Sequence, residues 1–488
     1  MTSRSPNVMI FMTDHQRGDT VLPEHPCRTP HLDRIIRGGL TFTQTFCTTA
    51  HCSPSRASFF SGLYPSLHGV WNNVINKQAL SRSLKAGVRL WSEDLCQVGY
   101  DMRFVGKWHV SAEENPGNRG WKERRVSSGM HDHHGRTWDG YRTMDLRDRQ
   151  DPRQPGEILR PGWGDYRLYG RDDSGSPHDE ACVREALELL PQLARGDSPW
   201  CLYVGVNGPH DPYVVPGKYL DLYPPGSVTL PESYGDDLRD RPGLYRRLRE
   251  QIWGQLPPAE AREALRHFWA YCSYMDELFG RLMGALEREG ALENTLVVYL
   301  SDHGDYAGDH GLFCKGIPCF RGAYNVPNVL HWPAGLHHPG RRVSEFVSLV
   351  DFAPTLLELV GARSDRFMSG ASLVPFLCDE TPTSWRDAVF TQCNGVEVYA
   401  TQRSVTTRTH KYVYNAFDFD ELYDLERDPC ERVNRGSDPA YGGVKRELAR
   451  RLWRFALEQG DAAPSPYITV GLAPHGPLEA FKPIESKI

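Results

Sequence analysis

A chain of 488 residues with 40% hydrophobic residues can bury a sizeable core, and its 45 glycines and 36 prolines are spread out rather than clustered, marking a loop-rich globular protein. A net charge of -6 from 56 basic and 62 acidic side chains leaves no basic stripe of the kind nucleic-acid binding requires, so no nucleic-acid partner is expected. No apolar run is long enough to span a membrane, and the opening MTSRSPNVMIFMTD lacks the apolar stretch and cleavage site of a secretory signal, so a cytoplasmic protein without a membrane segment is expected. The 12 cysteines include no CxxC pair, which in such a compartment predicts reduced, mostly buried thiols.

Val8 to Phe11 is the first of several short apolar runs that read as buried strands of a parallel sheet. Met102 to Val105, Leu202 to Val206, Leu296 to Leu300 and Asn328 to His331 follow. Residues 111 to 200 and 216 to 257 are polar and weakly periodic, and read as loops and short helices built over the sheet. The clearest helix begins after Pro257 and Pro258, where Leu265, Phe268, Cys272, Met275, Phe279, Leu282 and Leu286 recur at three- and four-residue spacing until Gly290 stops it. This alternation predicts an α/β fold over residues 1 to 380, with a central, mostly parallel sheet flanked by helices. From about residue 385 the texture changes: VYATQRSVTTRTHKYVYN alternates like antiparallel strands, FDFDELYDLERDP reads as a return strand and turn, and Val444, Leu448, Leu452 and Phe455 mark a last amphipathic helix. Residues 381 to 488 are therefore expected to form a smaller α+β subdomain.

Titratable groups follow four of the predicted strands. Asp14 and His15 come after Phe11, Lys107 and His109 after Val105, His210 after Val206, and Asp302 and His303 after Leu300. In open α/β sheets the ligand crevice lies outside the carboxyl ends of the strands, so these residues are expected to converge. The two Asp-His pairs can close around one divalent cation; carboxylates suit calcium, and imidazoles bring manganese into range. Taken alone, SDHGD reads equally well as a polar turn. Lys107, His109, His210 and Lys315 supply positive or proton-donating groups of the kind that hold a tetrahedral oxyanion while a bond to oxygen breaks. HDHH at His131 to His134 follows no strand and reads as a solvated loop near the pocket mouth.

Cys52, in HCSPSRASFFSG, has Arg56 one helical turn on, which increases its thiolate fraction. Thiolate attack on a sulfate ester would nevertheless leave an S-sulfonate that needs an external nucleophile for release.

CSPSRASFFSG resembles the CxPSR signature of the type I sulfatases, in the alkaline phosphatase superfamily. GKWH at Gly106 to His109, PHDPY around His210, SDHGD, GLFCKG and DELYDLERDP resemble further stretches of that family, spanning about residues 6 to 340 and 390 to 460. The resemblance implies that a separate formylglycine-generating enzyme oxidises Cys52 to Cα-formylglycine. Its hydrate would attack the sulfur of a small sulfate ester, and its second hydroxyl would drive release of sulfate. By the same match, Asp14, His15, Asp302 and His303 would hold one divalent metal ion (calcium or manganese), Arg56 and Lys107 would steady residue 52, His109 would take its second proton, and His210 with Lys315 would bind the sulfate and serve the leaving oxygen.

The chain departs from the pattern at its second metal partners, His15 and His303, where many sulfatases carry aspartate and asparagine. An Asp-His pair at the second site is associated with phosphonate monoester and phosphodiester hydrolases of the same superfamily, and Asn73 lies where those enzymes contact substrate. Lys107 and His109, which those hydrolases tend to replace, are intact. A sulfatase is the first expectation, a phosphonate monoester or phosphodiester hydrolase the alternative, and a silent binding protein on the same fold a distant third. A homo-oligomer is left open.

Overall fold

The computed structural model describes residues 5–76, 78–127, 152–160, 166–395 and 398–483. The HDHH stretch at residues 131–134 lies outside them.

The elements that position the site are β1 (Asn7–Thr13), α1 (Pro30–Arg37), β2 (Leu40–Phe42), α2 (Cys52–Ser61), β3 (Asp101–Lys107), β4 (Lys122–Ser127), α3 (Pro177–Arg195), β5 (Trp200–Gly205), α4 (Pro258–Arg288), β6 (Thr295–Ser301), β7 (Asn328–His331) and β8 (Arg341–Val343). The eight strands form one sheet in the order β8-β2-β7-β6-β1-β5-β3-β4. β1 sits at its middle, parallel to β6 and β5. The expected strands are all present, most of them a residue or two longer at the ends.

Alternation along β1 explains why both faces are covered. Val8, Ile10 and Met12 enter one apolar cluster with Phe59 and Phe60 of α2, whereas Met9 and Phe11 enter the other with Phe268, Met275 and Phe279 of α4. A strand buried on both sides carries no polar positions, hence the continuous apolar runs in the sequence.

Two expectations are corrected. β7 is antiparallel to both neighbours, β6 and β2, rather than part of a parallel set; a four-residue run carries no directional information. Residues 111 to 200 are more than loops and short helices: they contain β4 and the 19-residue α3. β4 reads KERRVS because it is an edge strand, where charge blunts unwanted pairing. α3 buries Cys182, Val183, Ala186, Leu189, Leu190 and Leu193 but carries Pro191 in its last turns, which obscures its period.

A second, four-stranded antiparallel sheet comprises β9 (Ala388–Cys393), β10 (Gln402–Thr407), β11 (His410–Asn415) and β12 (Glu421–Asp424) in sequence order. Its Val405, Tyr412 and Leu422 pack with Leu448, Leu452 and Trp453 of α5 (Gly442–Glu458), while Val389, Val413 and Tyr423 join the main core. Arg386 donates to both oxygens of the buried Asp351 at 2.6 and 2.7 Å, tying the start of this region to the turn at Leu349–Asp351. Nine of the 12 cysteines are buried and all 12 are free thiols, as expected. Among the described residues no helix is long and apolar enough to cross a membrane.

Candidate active site

β1 and β6 pair in register, Thr13 opposite Ser301, so the residues that follow them emerge side by side. Asp14, His15, Asp302 and His303 are all fully buried there. Arg56 joins the two carboxylates from below: Nε donates to Asp302 Oδ2 at 2.7 Å and Nη2 to Asp14 Oδ2 at 3.4 Å, while Nη1 donates to the Lys107 carbonyl at 3.1 Å and the Tyr203 hydroxyl at 2.9 Å. Lys107 Nζ also donates to Asp14 Oδ2. Burial and Cys52 push the Asp14 carboxyl up, but Lys107, Lys315 and His210 prevail and hold it far below the carboxylate range.

α2 starts at Cys52, and its first turn is fixed from three sides. Asn73 Oδ1 accepts from the Ser53 N–H at 3.2 Å, Ser53 Oγ accepts from the Val74 N–H at 3.2 Å, and Ser55 Oγ donates to the Asp302 carbonyl at 2.5 Å. Asn73 thus sits at the site, with its carbonyl oxygen engaged in holding the helix start. Cys52 Sγ, 1% exposed, lies 2.7 Å from Lys315 Nζ, 3.3 Å from His303 Nε2 and 3.6 Å from Asp14 Oδ1. Burial would raise its thiol pKa, yet Lys107, Lys315 and His303 hold it well below the ordinary value. The pocket therefore favours negative charge on side chain 52, and the helix amino terminus adds to this.

The histidines are oriented by their second nitrogens. His303 Nδ1 donates to the Gly304 carbonyl at 2.8 Å, leaving Nε2 facing Cys52 and Lys315. His15 Nδ1 lies 3.0 Å from Asp305 Oδ2, and its buried Nε2 has no hydrogen-bond partner among the described residues. Burial first, then His210, Lys315 and His303, keep His15 well below its ordinary value, so it is neutral. Imidazoles whose other nitrogens are anchored are what a metal site requires of its outer shell. Ligand atoms of Asp14, Cys52, Asp302 and His303 lie within 4.8 Å of one another, as do those of Asp14, His15, Cys52 and His210. The four expected metal residues thus fall into two overlapping sets that share Asp14 and residue 52. Two carboxylates and imidazole nitrogens fit a hard or borderline divalent cation.

His210 and Lys315 close the pocket opposite Cys52, with Nε2 and Nζ 3.5 Å apart. Burial disfavours the His210 cation, but Asp211, its carboxylate 3.3 Å from Nδ1, more than compensates and raises its pKa. Asp179, from α3, accepts from the Asn207 and Gly208 N–H groups at 2.7 and 3.1 Å and so fixes the turn that carries His210. His109 is 4% exposed, and neither ring nitrogen has a hydrogen-bond partner among the described residues. Burial, helped by Lys107 and opposed by Cys52, lowers its pKa to about 4. Both His15 and His109 have left-handed backbone, at φ 69° and 53°, the kind of strain that gathers at functional sites. In GKWH, Gly106 is required because β3 meets β5 so closely that a Cβ would land on the Gly205 carbonyl oxygen.

Sequence reading missed Asp305, Asp211, Asp179, Tyr203 and Tyr213. Tyr213 donates to Asp305 at 2.9 Å, and Tyr166 donates to Asp211, so the groups that orient His15 and His210 are themselves oriented. Asp305, Asp211 and Tyr213 lie inside the quoted motifs SDHGD and PHDPY, two residues after His303 and one and three after His210; Asp179 and Tyr203 carry no local signal.

The Sulfatase family model matches residues 6–362, and one described as N-sulphoglucosamine sulphohydrolase, C-terminal, matches residues 308–458. A choline-sulfatase of Rhizobium meliloti (strain 1021) is 29% identical over 460 residues, covering 90% of this chain and 84% of that protein. The multifunctional alkaline phosphatase superfamily protein PehA of Trinickia caryophylli is 25% identical over 512 residues, covering 93% and 96%. The crystal structure of the phosphonate monoester hydrolase of Agrobacterium radiobacter is similar with a TM-score of 0.75 at 25% identity, covering 93% of this chain and 96% of that one. The family model covers well over half of the residues, and the chain belongs to the sulfatase family of the alkaline phosphatase superfamily.

Proposed function

We propose that this hydrolase cleaves a small sulfate ester, with residue 52 acting as Cα-formylglycine formed by a separate formylglycine-generating enzyme. The observation that carries the reading is the setting of Cys52: a buried side chain at a helix amino terminus, facing Lys315, His303 and Asp14. A site already arranged to stabilise an anion at position 52 suits an ionised hydroxyl there. A hydrated aldehyde supplies one hydroxyl to attack and a second whose proton, once removed, drives product release. Asp14, Asp302, His303 and His15 would hold a calcium or manganese ion, which favours the ionised hydroxyl and offsets charge on the transferred group.

The chain's own residues cover the remaining tasks. Lys315 and His210 face the nucleophile and would clamp the peripheral sulfate oxygens. His210, whose cationic form Asp211 favours, would give its proton to the leaving oxygen. His109, neutral above about pH 4 and with no other hydrogen-bond partner among the described residues, would accept the proton of the second hydroxyl. Arg56 binds both aspartates and would hold them apart at a fixed spacing, whereas Lys107 serves Asp14.

A second reading, hydrolysis of phosphonate monoesters or phosphodiesters, is favoured by the Asp302-His303 pair, by Asn73 beside the nucleophile, and by the likeness to the Agrobacterium radiobacter enzyme. Two measurements decide. Mass spectrometry of the residue-52 peptide from cells containing the maturation enzyme is expected to show the aldehyde, and intact thiol in fully active protein refutes the mechanism. Turnover of an aryl sulfate, an aryl phosphonate monoester and an aryl phosphodiester is expected to favour the sulfate; a preference for either phosphorus compound establishes the second reading.

A further inference from the structure

Behind the reaction pocket, where the large sheet meets the four-stranded sheet, lies a cavity of about 300 Å³ that none of Asp14, Cys52, Asp302 or Lys315 lines. Its charged lining is unevenly paired. Glu431, 3% exposed, is fully used: Oε1 accepts from Lys411 Nζ at 2.9 Å and Oε2 from the Arg321 N–H at 2.8 Å. Arg408 is paired with Glu345 at 2.5 Å. The Arg321 guanidinium, by contrast, makes a single hydrogen bond, from Nη1 to Gln44 Oε1 at 3.0 Å, and has no carboxylate within ion-pair distance among the described residues. It lies 5.3 Å over the Phe46 ring, which covers its flat face, and its Nε/Nη2 edge has no hydrogen-bond partner among the described residues. Burial pulls its pKa below the ordinary value, with Glu431 and Asp19 only partly opposing.

A half-buried guanidinium without a counter-ion is costly to keep unless an anion completes it. The Nε/Nη2 edge is the one that grips a carboxylate through two parallel hydrogen bonds. Two hydroxyls stand on the same wall. Tyr324, 2% exposed, has a hydroxyl with no hydrogen-bond partner among the described residues, and Thr406, 7% exposed, lines the cavity beside it. The rest of the lining includes Phe346 and Leu425, an apolar wall that a bare inorganic ion would leave uncovered. Arg321 also borders a smaller cavity of about 180 Å³, whose Asp309 is already paired with Arg17 at 2.8 Å.

We propose that this cavity is a ligand site separate from the reaction centre, taking a small organic carboxylate: the carboxylate on the free edge of Arg321 with the Tyr324 and Thr406 hydroxyls donating to it, and a flat apolar body against Phe346 and Leu425. Its walls run into the reaction pocket. Cys319, on the wall, is four residues beyond Lys315, and the Tyr324 carbonyl accepts from the Cys47 N–H at 2.9 Å, five residues before Cys52.

The test is calorimetric titration of the whole chain with benzoate, benzamide and sodium sulfate. Saturable binding of benzoate is expected, with benzamide and sulfate failing to bind at this site. Arg321→Gln should weaken benzoate by about tenfold or more, and Tyr324→Phe, which removes only the hydroxyl and keeps the packing, by roughly threefold. Lys315→Ala should leave benzoate affinity unchanged. Equal binding of benzoate and benzamide, loss of benzoate binding in Lys315→Ala, or unchanged affinity in Tyr324→Phe with a native melting temperature each overturns the proposal.

Discussion

Replacing Arg56 by lysine keeps a positive charge under the site and removes its shape. The guanidinium is fully buried and spends all three nitrogens on four acceptors: Asp302, Asp14, the Lys107 carbonyl and Tyr203. These acceptors diverge, so a single ammonium at the end of a flexible stem reaches at most two of them. Two buried polar groups are then left unsatisfied at about 1–3 kcal/mol each, a loss of roughly 2–6 kcal/mol. An unfolding entropy of about 2.1 cal/mol/K per residue is roughly 1 kcal/mol/K for 488 residues, so Arg56→Lys should lower the melting temperature by about 2–6 °C. Arg56→Met, which also leaves Asp302 without its cation, should lose more. Differential scanning calorimetry of the three proteins side by side reads this directly. A melting temperature for Arg56→Lys within about 1 °C of the parent would mean that charge alone holds the two aspartates, and would refute the argument from shape.

Asp305→Asn should weaken manganese or calcium binding by about 10–100-fold, measured by titration of the metal-free chain, because His15 loses the carboxylate that fixes its orientation. His210→Gln should slow kcat by about 10²–10⁴-fold for esters with poor leaving groups and much less for activated aryl esters, a contrast read from a leaving-group series. Arg386→Ala strands the buried Asp351 and should cost about 3–5 kcal/mol in thermal or urea unfolding. Asp276 caps α1 by accepting from the His31 and Leu32 N–H groups at 3.0 and 2.7 Å, and burial raises its pKa to about 7. Because its folded pKa exceeds the unfolded value, its contribution to stability is fully present below about pH 4 and is lost as pH rises through about 7. The stability of the parent relative to Asp276→Asn should therefore fall across that window, as followed by melting temperature against pH.

The strands that carry the site were legible because burial on both faces writes them as apolar runs, and most of the titratable groups gathered there were legible because they follow such a run within a few residues. Asp14, Lys107, His210 and Asp302 were placed by that rule alone. Lys315 obeys no such rule; it enters the pocket from a loop, and only the resemblance of GLFCKG pointed to it. The direction of β7 was hidden because direction is fixed by the connections around a strand. β4 was hidden because an edge strand is free to be charged. The partners that orient the histidines belong to contacts across the fold: Asp179 acts from α3, and Tyr203 reaches Arg56 from the neighbouring strand. One sequence carries no mark of such pairings.

The pairing of Thr13 with Ser301 has a consequence for how this pocket can change. Adjacent strands stand about 4.8 Å apart whatever their side chains, so the gap between the two acidic ends is gauged by main-chain hydrogen bonding. Insertions and substitutions in the surrounding excursions can redraw the mouth of the cleft and the organic groups it admits without resizing the seat at its floor. Diversification of such a scaffold is therefore cheap at the rim and conservative at the base.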